Sequence, residues 1–279
     1  MTHRQLKKNQ PRFLKAVNNK YRQRGGQTRK LRGGASAIAG VTNSTTCVSC
    51  YFPVDSKYGN KSKNKYTEWL TNTLDVKCPY VFFTNKESVD LIKKYRKDLP
   101  THYIICEIAD FHTYKYKDRL ITHPKHSPSV ELNLIWNEKL FMIQKAAELN
   151  PFHSEWFVWI DAGISVFRDK APPNTTFPKE ELIQALPKDK FIYSASESYD
   201  SSKVSPTNHY HHISGTYVLH KNIINRFVEL YKEYIDKLFD KNNIWTDQVI
   251  LTHMYKDHPD LFYKLRDGYG EVIKYLYGV

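Results

Sequence analysis

From Thr45 onward, short apolar runs alternate with longer segments whose apolar residues recur at helical spacing, and this alternation is the signature of an α/β fold. TTCVSCYFPV (45–54), PYVFFTN (79–85), HYIICEIADF (102–111), WFVWID (156–161), FIYSAS (191–196) and SGTYVLH (214–220) read as strands. YTEWLTNTLDV (66–76), KESVDLIKKYRKD (86–98), VELNLIWNEKLFMIQKAAEL (130–149), EELIQAL (180–186) and NIINRFVELYKEYIDKLF (222–239) read as helices, and a last helix begins near Asp247. Asn150 and Pro151 close the long helix in the way helices usually stop. The stretch between Tyr114 and Val130, with Pro124 and Pro128, reads as a loop. Neither a repeat nor a linker interrupts the pattern, which predicts one domain over 45–279 with a mixed central sheet of the Rossmann-related kind.

A formal charge of +13 points toward a nucleic-acid or membrane partner until its location is considered. Of the 42 Lys and Arg, 11 lie in the first 34 residues, which hold no Asp or Glu; the remainder of the chain sets 31 basic residues against 29 acidic ones. The body is therefore nearly neutral. Residues 1–44 combine Gly25-Gly26 and Gly33-Gly34 with basic clusters and few large apolar residues, which predicts a flexible tail. Two readings are open to it: a weak tether to nucleic acid or an acidic surface, or a solubilising arm. No apolar run reaches the roughly 20 residues of a membrane-spanning helix, so a soluble, cytoplasmic protein is expected. Cys47, Cys50, Cys78 and Cys106 are too few and scattered for a disulfide framework, and Cys47-Val-Ser-Cys50 lies inside a strand rather than where a redox motif sits.

The apolar run FVWI ends on Asp161, with only Ala162 and Gly163 after it. A carboxylate at the end of a core strand needs a partner or a task. In nucleotide-binding α/β sheets, ligands sit at the carboxyl ends of the strands, so this is where a ligand-binding carboxylate belongs. Asp161 would supply an oxygen to a divalent cation, Mn or Mg, that neutralises a diphosphate. Gly163 would allow close approach of backbone and ligand, and Arg168 would clamp phosphate oxygens. The structural alternative has Asp161 capping the next turn and pairing with Arg168.

The ordered series YFPV, VFFTN, WNEKLFMIQKAAELNPF, FVWIDAGISVFRD, ISGTYVLH and WTDQVIL resembles the HtrL/YibB (WlaTC/HtrL-type) family of glycosyltransferase-like proteins, over roughly residues 45–265. The resemblance implies a GT-A-like fold, a nucleotide-sugar donor and a glycan or other hydroxyl acceptor. It sets Asp161 where such enzymes carry an Asp-x-Asp metal motif. Gly163 stands in place of the second aspartate, which leaves open whether the site holds a cation or replaces it with Lys and Arg. Asp247 and Gln248, in IWTDQVIL, resemble Asp-Gln motifs that bind a sugar hydroxyl or serve as general base, with Gln248 assisting. Their structural alternative is an acidic first turn behind Thr246 as N-cap.

Lys139 either points toward the diphosphate or is a surface lysine, and Trp136 reads as core. Tyr51 and Phe52 end the first strand, where they would stack on a base or pack. His209, His211 and His212 read as solvated loop residues, as do Glu197 and Asp200. Two rivals to a transferase are a phosphoryl-transfer hydrolase using Asp161, which lacks the usual second Asp at 163, and a nucleic-acid-binding protein acting through its basic tail.

Overall fold

The apolar runs become strands of one seven-stranded mixed sheet in the computed structural model, which describes residues 44–54, 63–120, 122, 129–206, 208–239 and 246–279. The basic tail is outside the described residues except for Ser44. In chain order the strands are β1 (Thr45–Tyr51), β2 (Tyr80–Thr84), β3 (Thr101–Ile105), β4 (Trp156–Trp159), β5 (Phe191–Ala195), β6 (Ile213–His220) and β7 (Phe262–Asp267). The helices are α1 (Lys63–Leu74), α2 (Val89–Arg96), α3 (Val130–Leu149), α4 (Glu180–Gln184), α5 (Lys221–Phe239), α6 (Asp247–Asp257) and α7 (Glu271–Tyr277).

Across the sheet the order is β3-β2-β1-β4-β6-β5-β7. The β1, β2, β3 and β4 strands are mutually parallel, β6 runs antiparallel to both β4 and β5, and β7 pairs parallel with β5. Strand alternation sorts the core into two layers. Val48, Cys50, Phe157, Trp159, Tyr193 and Tyr217 face α3, α5 and α6, whereas Cys47, Tyr80, Trp156, Val158 and Val218 face α1, α2, α4 and α7. The chain thus moves outward from β1 to β3 with helices on one face, then returns to β4 through α3 on the other. The reversal leaves a topological switch point at the carboxyl ends of β1 and β4, where open α/β sheets bind ligands.

Most elements lie where their periodicity predicts, and α3 keeps both predicted ends. Ser129 Oγ accepts the Leu132 N–H at its start, and Asn150 takes the left-handed conformation at its close. Several expectations need correction. The predicted strand at 102–111 stops at Ile105, and Ile108–Asp110 forms a 3-10 turn closed by the Glu107 and Asp110 side chains. Within the expected loop, His112–Arg119 forms a second 3-10 segment. Its first backbone N–H groups, at His112 and Thr113, donate to the buried Glu138 carboxylate of α3. The region after α6 contains β7 and α7 rather than ending at a last helix. As an edge strand with mostly exposed side chains, FYKLRD lacks the apolar signal that marks the inner strands.

Candidate active site

Alternation places Asp161 on the same sheet face as Phe157 and Trp159, the face covered by α3 and α6. Continuing the β4–β6 register by three residues brings Gly215 opposite Asp161, and continuing the β1–β4 register by two brings Cys50 beside it. The Asp161 carboxylate therefore sits over a strand position with no side chain, next to a small buried thiol. Its Oδ1 accepts the Trp159 indole N–H at 2.8 Å and lies 3.0 Å from Lys139 Nζ.

Lys139 is the residue around which the site is built. Its side chain is only 3% exposed, and its ammonium also lies 3.4 Å from Asp247 Oδ2, 3.4 Å from the Gly215 carbonyl and over the Trp159 ring. Burial alone would pull the Lys139 pKa down; the Asp161 and Asp247 charges override it, so the ammonium stays protonated above the ordinary lysine range. The surface position considered for Lys139 is thus corrected, and Trp136, read as core, is half-buried instead. The signal for Lys139 was in the sequence: Ile135, Met142 and Ile143, four before, three after and four after, are all apolar, so Lys139 lies on the buried stripe of α3.

Asp247 opens α6, and the buried Thr246 hydroxyl before it makes no cap bond to the helix. Asp247 thus stands in the first turn without the capping arrangement expected of Thr246. The Asp247 side chain is 3% exposed against 38% for Asp161, so Asp247 lies beneath the ammonium and Asp161 above it. Its Oδ2 is within ion-pair range of Lys139 but receives no hydrogen bond. Burial pushes the Asp247 pKa up to about 6; Lys139 pulls against that rise and Asp161 adds to it. Beneath the cluster, burial and the Asp161 charge raise the Cys50 thiol and keep it neutral.

The remaining candidates spread around this center. Gly163 is the third residue of a turn closed by the Ile164 N–H on the Asp161 carbonyl, and its φ is not among the positive ones. Arg168 donates through Nε to the Gly163 carbonyl and stacks on Trp69, its guanidinium carbon 4.3 Å from the ring center. Among the described residues it makes no ion pair with Asp161, so the turn-capping alternative for that pair is not realized. Gln248 donates to the Ile213 carbonyl at the start of β6 and to the Tyr269 hydroxyl. Tyr269, which the sequence reading missed, is exposed and hydrogen-bonded to Gln248, the residue after Asp247. Tyr51 is half-buried at the end of β1, whereas Phe52 is buried edge-on against Phe111.

The histidines are not uniformly solvated, as had been expected. His212 is buried, with Nε2 2.9 Å from the Tyr193 hydroxyl and Nδ1 2.7 Å from the Glu197 carbonyl. His211 is half-buried on Ser196, while Glu197 remains exposed and Asp200 bonds Ser202. None of the four cysteines is in a disulfide, and Cys47, Cys50 and Cys78 are buried. Among the described residues no group of three His, Cys, Asp or Glu side chains is placed to hold a metal ion. The two carboxylates that do converge already share the Lys139 ammonium. One or two carboxylates with substrate phosphates can hold Mg or Mn, but here the ammonium already lies between the two carboxylates, and this arrangement does not fit a divalent cation.

The sequence matches, over residues 104–275, the family described as "Bacterial protein of unknown function (HtrL_YibB)". The chain belongs to the HtrL_YibB family. The matched region holds Lys139, Asp161, Arg168, Gly215, Asp247 and Gln248, so the whole cluster lies inside the part that defines HtrL_YibB. No curated protein sequence matches the chain significantly. Solved structures similar to this HtrL_YibB protein include core-mannan synthase A from Aspergillus fumigatus in its Mn/GDP form, at 11% identity and TM-score 0.45, covering 78% of this chain and 70% of that one. The mannosyltransferase Ktr4p from S. cerevisiae is similar at 11% identity and TM-score 0.43, over 75% and 64% of the two chains. A 4-diphosphocytidyl-2C-methyl-D-erythritol synthase from Anaerococcus prevotii DSM 20548 is similar at 14% identity and TM-score 0.38, over 84% and 96%. No helix among the described residues is long and apolar enough to cross a membrane.

Proposed function

We propose that this protein is a GT-A-like glycosyltransferase that moves a sugar from a nucleotide-sugar donor to a hydroxyl of a glycan or similar acceptor. The observation that carries this reading is the meeting of Asp161 and Asp247 on one buried ammonium, at the carboxyl ends of β1 and β4. A charged cluster buried at a switch point is costly to build and gives little net stability, which is the mark of a site kept for binding or chemistry.

The parts have distinct tasks in this account. Tyr51, at the end of β1, lines the base side of the crevice. Arg168, fixed by its Nε bond and its stack on Trp69, presents its other N–H groups to the diphosphate. Gly163 keeps the turn between Arg168 and Asp161 free of a side chain. Asp161, the exposed carboxylate of the cluster, accepts hydrogen bonds from sugar hydroxyls and holds the sugar for attack at its anomeric carbon. Asp247, expected as a general base or sugar-hydroxyl ligand, is too deeply buried to touch an acceptor and acts from beneath by fixing Lys139, and Gln248 positions Tyr269 along the acceptor side.

Screening nucleotide-sugars for binding and slow hydrolysis tests the reading. One donor class should bind, and Asp161→Asn should weaken binding or turnover at least tenfold while leaving the melting temperature within a few degrees. Equal binding and turnover by Asp161→Asn would contradict it.

A further inference from the structure

The mismatch between the donor set and a divalent ion has a specific cause, and it concerns the same site as the proposed function and rests on that reading. We infer that Lys139 is the resident cation of this site: its ammonium fills the place between Asp161 and Asp247 that a divalent ion would take, so the donor is engaged without a metal. Three independent features support this.

The first is position. Lys139 Nζ lies 3.0 Å from Asp161 Oδ1 and 3.4 Å from Asp247 Oδ2, so any ion bound by both carboxylates would have to displace a buried ammonium. Repulsion from the ammonium would raise the cost of entry further, because Lys139 and Asp247 are buried and little water screens them. The second is Gly215. A Cβ built there would lie 3.2 Å from Asp161 Oδ2 and 3.3 Å from Lys139 Nζ, so glycine at this strand position leaves room for the ion pair itself. Its backbone φ is not positive, and close approach is therefore the reason for glycine. The third is Gly163, which removes the second carboxylate that a metal would use beside Asp161. The ammonium reaches this place from α3, a helix with a regular cap at each end, so it is held by a rigid element rather than a loop. Lys139 is a positioning residue in this account: it neutralizes and orients Asp161, which meets the ligand.

Manganese binding to the full-length protein, followed by the electron paramagnetic resonance of the free ion, tests this without a donor. The wild type should bind no ion that depends on Asp161; any weak binding should be unchanged in Asp161→Asn. Lys139→Met leaves two adjacent carboxylates without their cation, and it should gain one manganese site at least tenfold tighter than wild type, lost again in Lys139→Met/Asp161→Asn. A merely structural lysine would give destabilization without that gain. Stoichiometric binding by wild type that disappears in Asp161→Asn overturns the inference, as does a folded Lys139→Met that gains no site. If Lys139→Met fails to fold, melting temperatures of wild type and Asp161→Asn with manganese plus saturating UDP or GDP decide it. A rise that needs manganese, nucleotide and Asp161 together overturns the inference, and its absence supports it. Failure of every donor to bind would instead sink the transferase reading and leave the manganese result standing.

Discussion

Asp161, Lys139 and Asp247 behave as one electrostatic unit, and the pH dependence of the site belongs to the unit. Asp247 has its pKa raised by burial to about 6, so above that pH it is a carboxylate able to hold Lys139. Donor binding or turnover should therefore be flat above pH 7 and fall as pH drops through about 6, and Asp247→Asn should remove that limb from a pH–rate profile. The stability linkage has the opposite sense. An aspartate whose folded pKa exceeds its unfolded value costs stability when ionised, so its penalty is relieved as pH falls from above 6 toward 4. Denaturation midpoints of wild type and Asp247→Asn should converge over that window and diverge above it. Gly215→Ala is expected to shift Asp161 by a few tenths of an ångström and to lower turnover about tenfold or more, since small misplacements at a reacting center are costly. Retention of full turnover by Gly215→Ala would argue against the close-packed ion pair. At this scale the sequence revealed Asp161, because an apolar run ending in acid is conspicuous. It offered Lys139 as a diphosphate partner but left the surface alternative open, because a lysine in a helix reads as surface unless its helical neighbors are counted.

At the scale of elements, two buried side chains tie loops to the scaffold that carries the site. Arg96, at the end of α2, is fully buried; it donates to the carbonyls of Leu74, Val76, Cys78 and Pro100 and to the Thr101 hydroxyl, and it stacks on Tyr80. It satisfies the turns on either side of β2 at once. Arg96→Met would leave the Leu74 and Cys78 carbonyls without this donor, while Val76 and Pro100 keep the Cys78 and Tyr80 N–H groups, and is expected to cost about 2–5 kcal/mol in urea unfolding. Glu138 does the same on the other face, accepting from the backbone of His112 and Thr113 and from the Thr113 hydroxyl. Burial outweighs these bonds and pushes the Glu138 pKa up to about 7, so Lys139 has a titrating neighbor in sequence that points away into the 3-10 segment. Glu138→Ala should cost about 1–3 kcal/mol, with hydrogen exchange at His112 and Thr113 accelerating first. The inner strands and long helices were legible because β-branched and aromatic runs and a 3.6-residue period leave few alternatives. The 3-10 segments and β7 were not, because their stability comes from Glu138 and from pairing with β5 rather than from their own composition.

For the whole molecule, one sheet separates two apolar layers, and the site opens where the strand order reverses, between the parallel strands β1 and β4. The switch point is a property of topology, which no local stretch of sequence contains; the carboxylate at the strand end was readable, but its meeting with α6 was not. The charge asymmetry of the chain leads to a separate expectation. Because the sequence pattern predicts one domain over 45–279, removing residues 1–43 should leave donor binding and the melting transition unchanged while abolishing any salt-sensitive binding to nucleic acid. The central claim is that a buried ion triad at the switch point serves sugar transfer. It is tested most directly by calorimetric titration of nucleotide-sugars into wild type and Asp161→Asn at pH 7.5 in the presence of a chelator. The account predicts that one donor binds the wild type under these conditions and binds Asp161→Asn at least tenfold more weakly; equal affinity of the two proteins for that donor, or binding by neither to any donor, would contradict it.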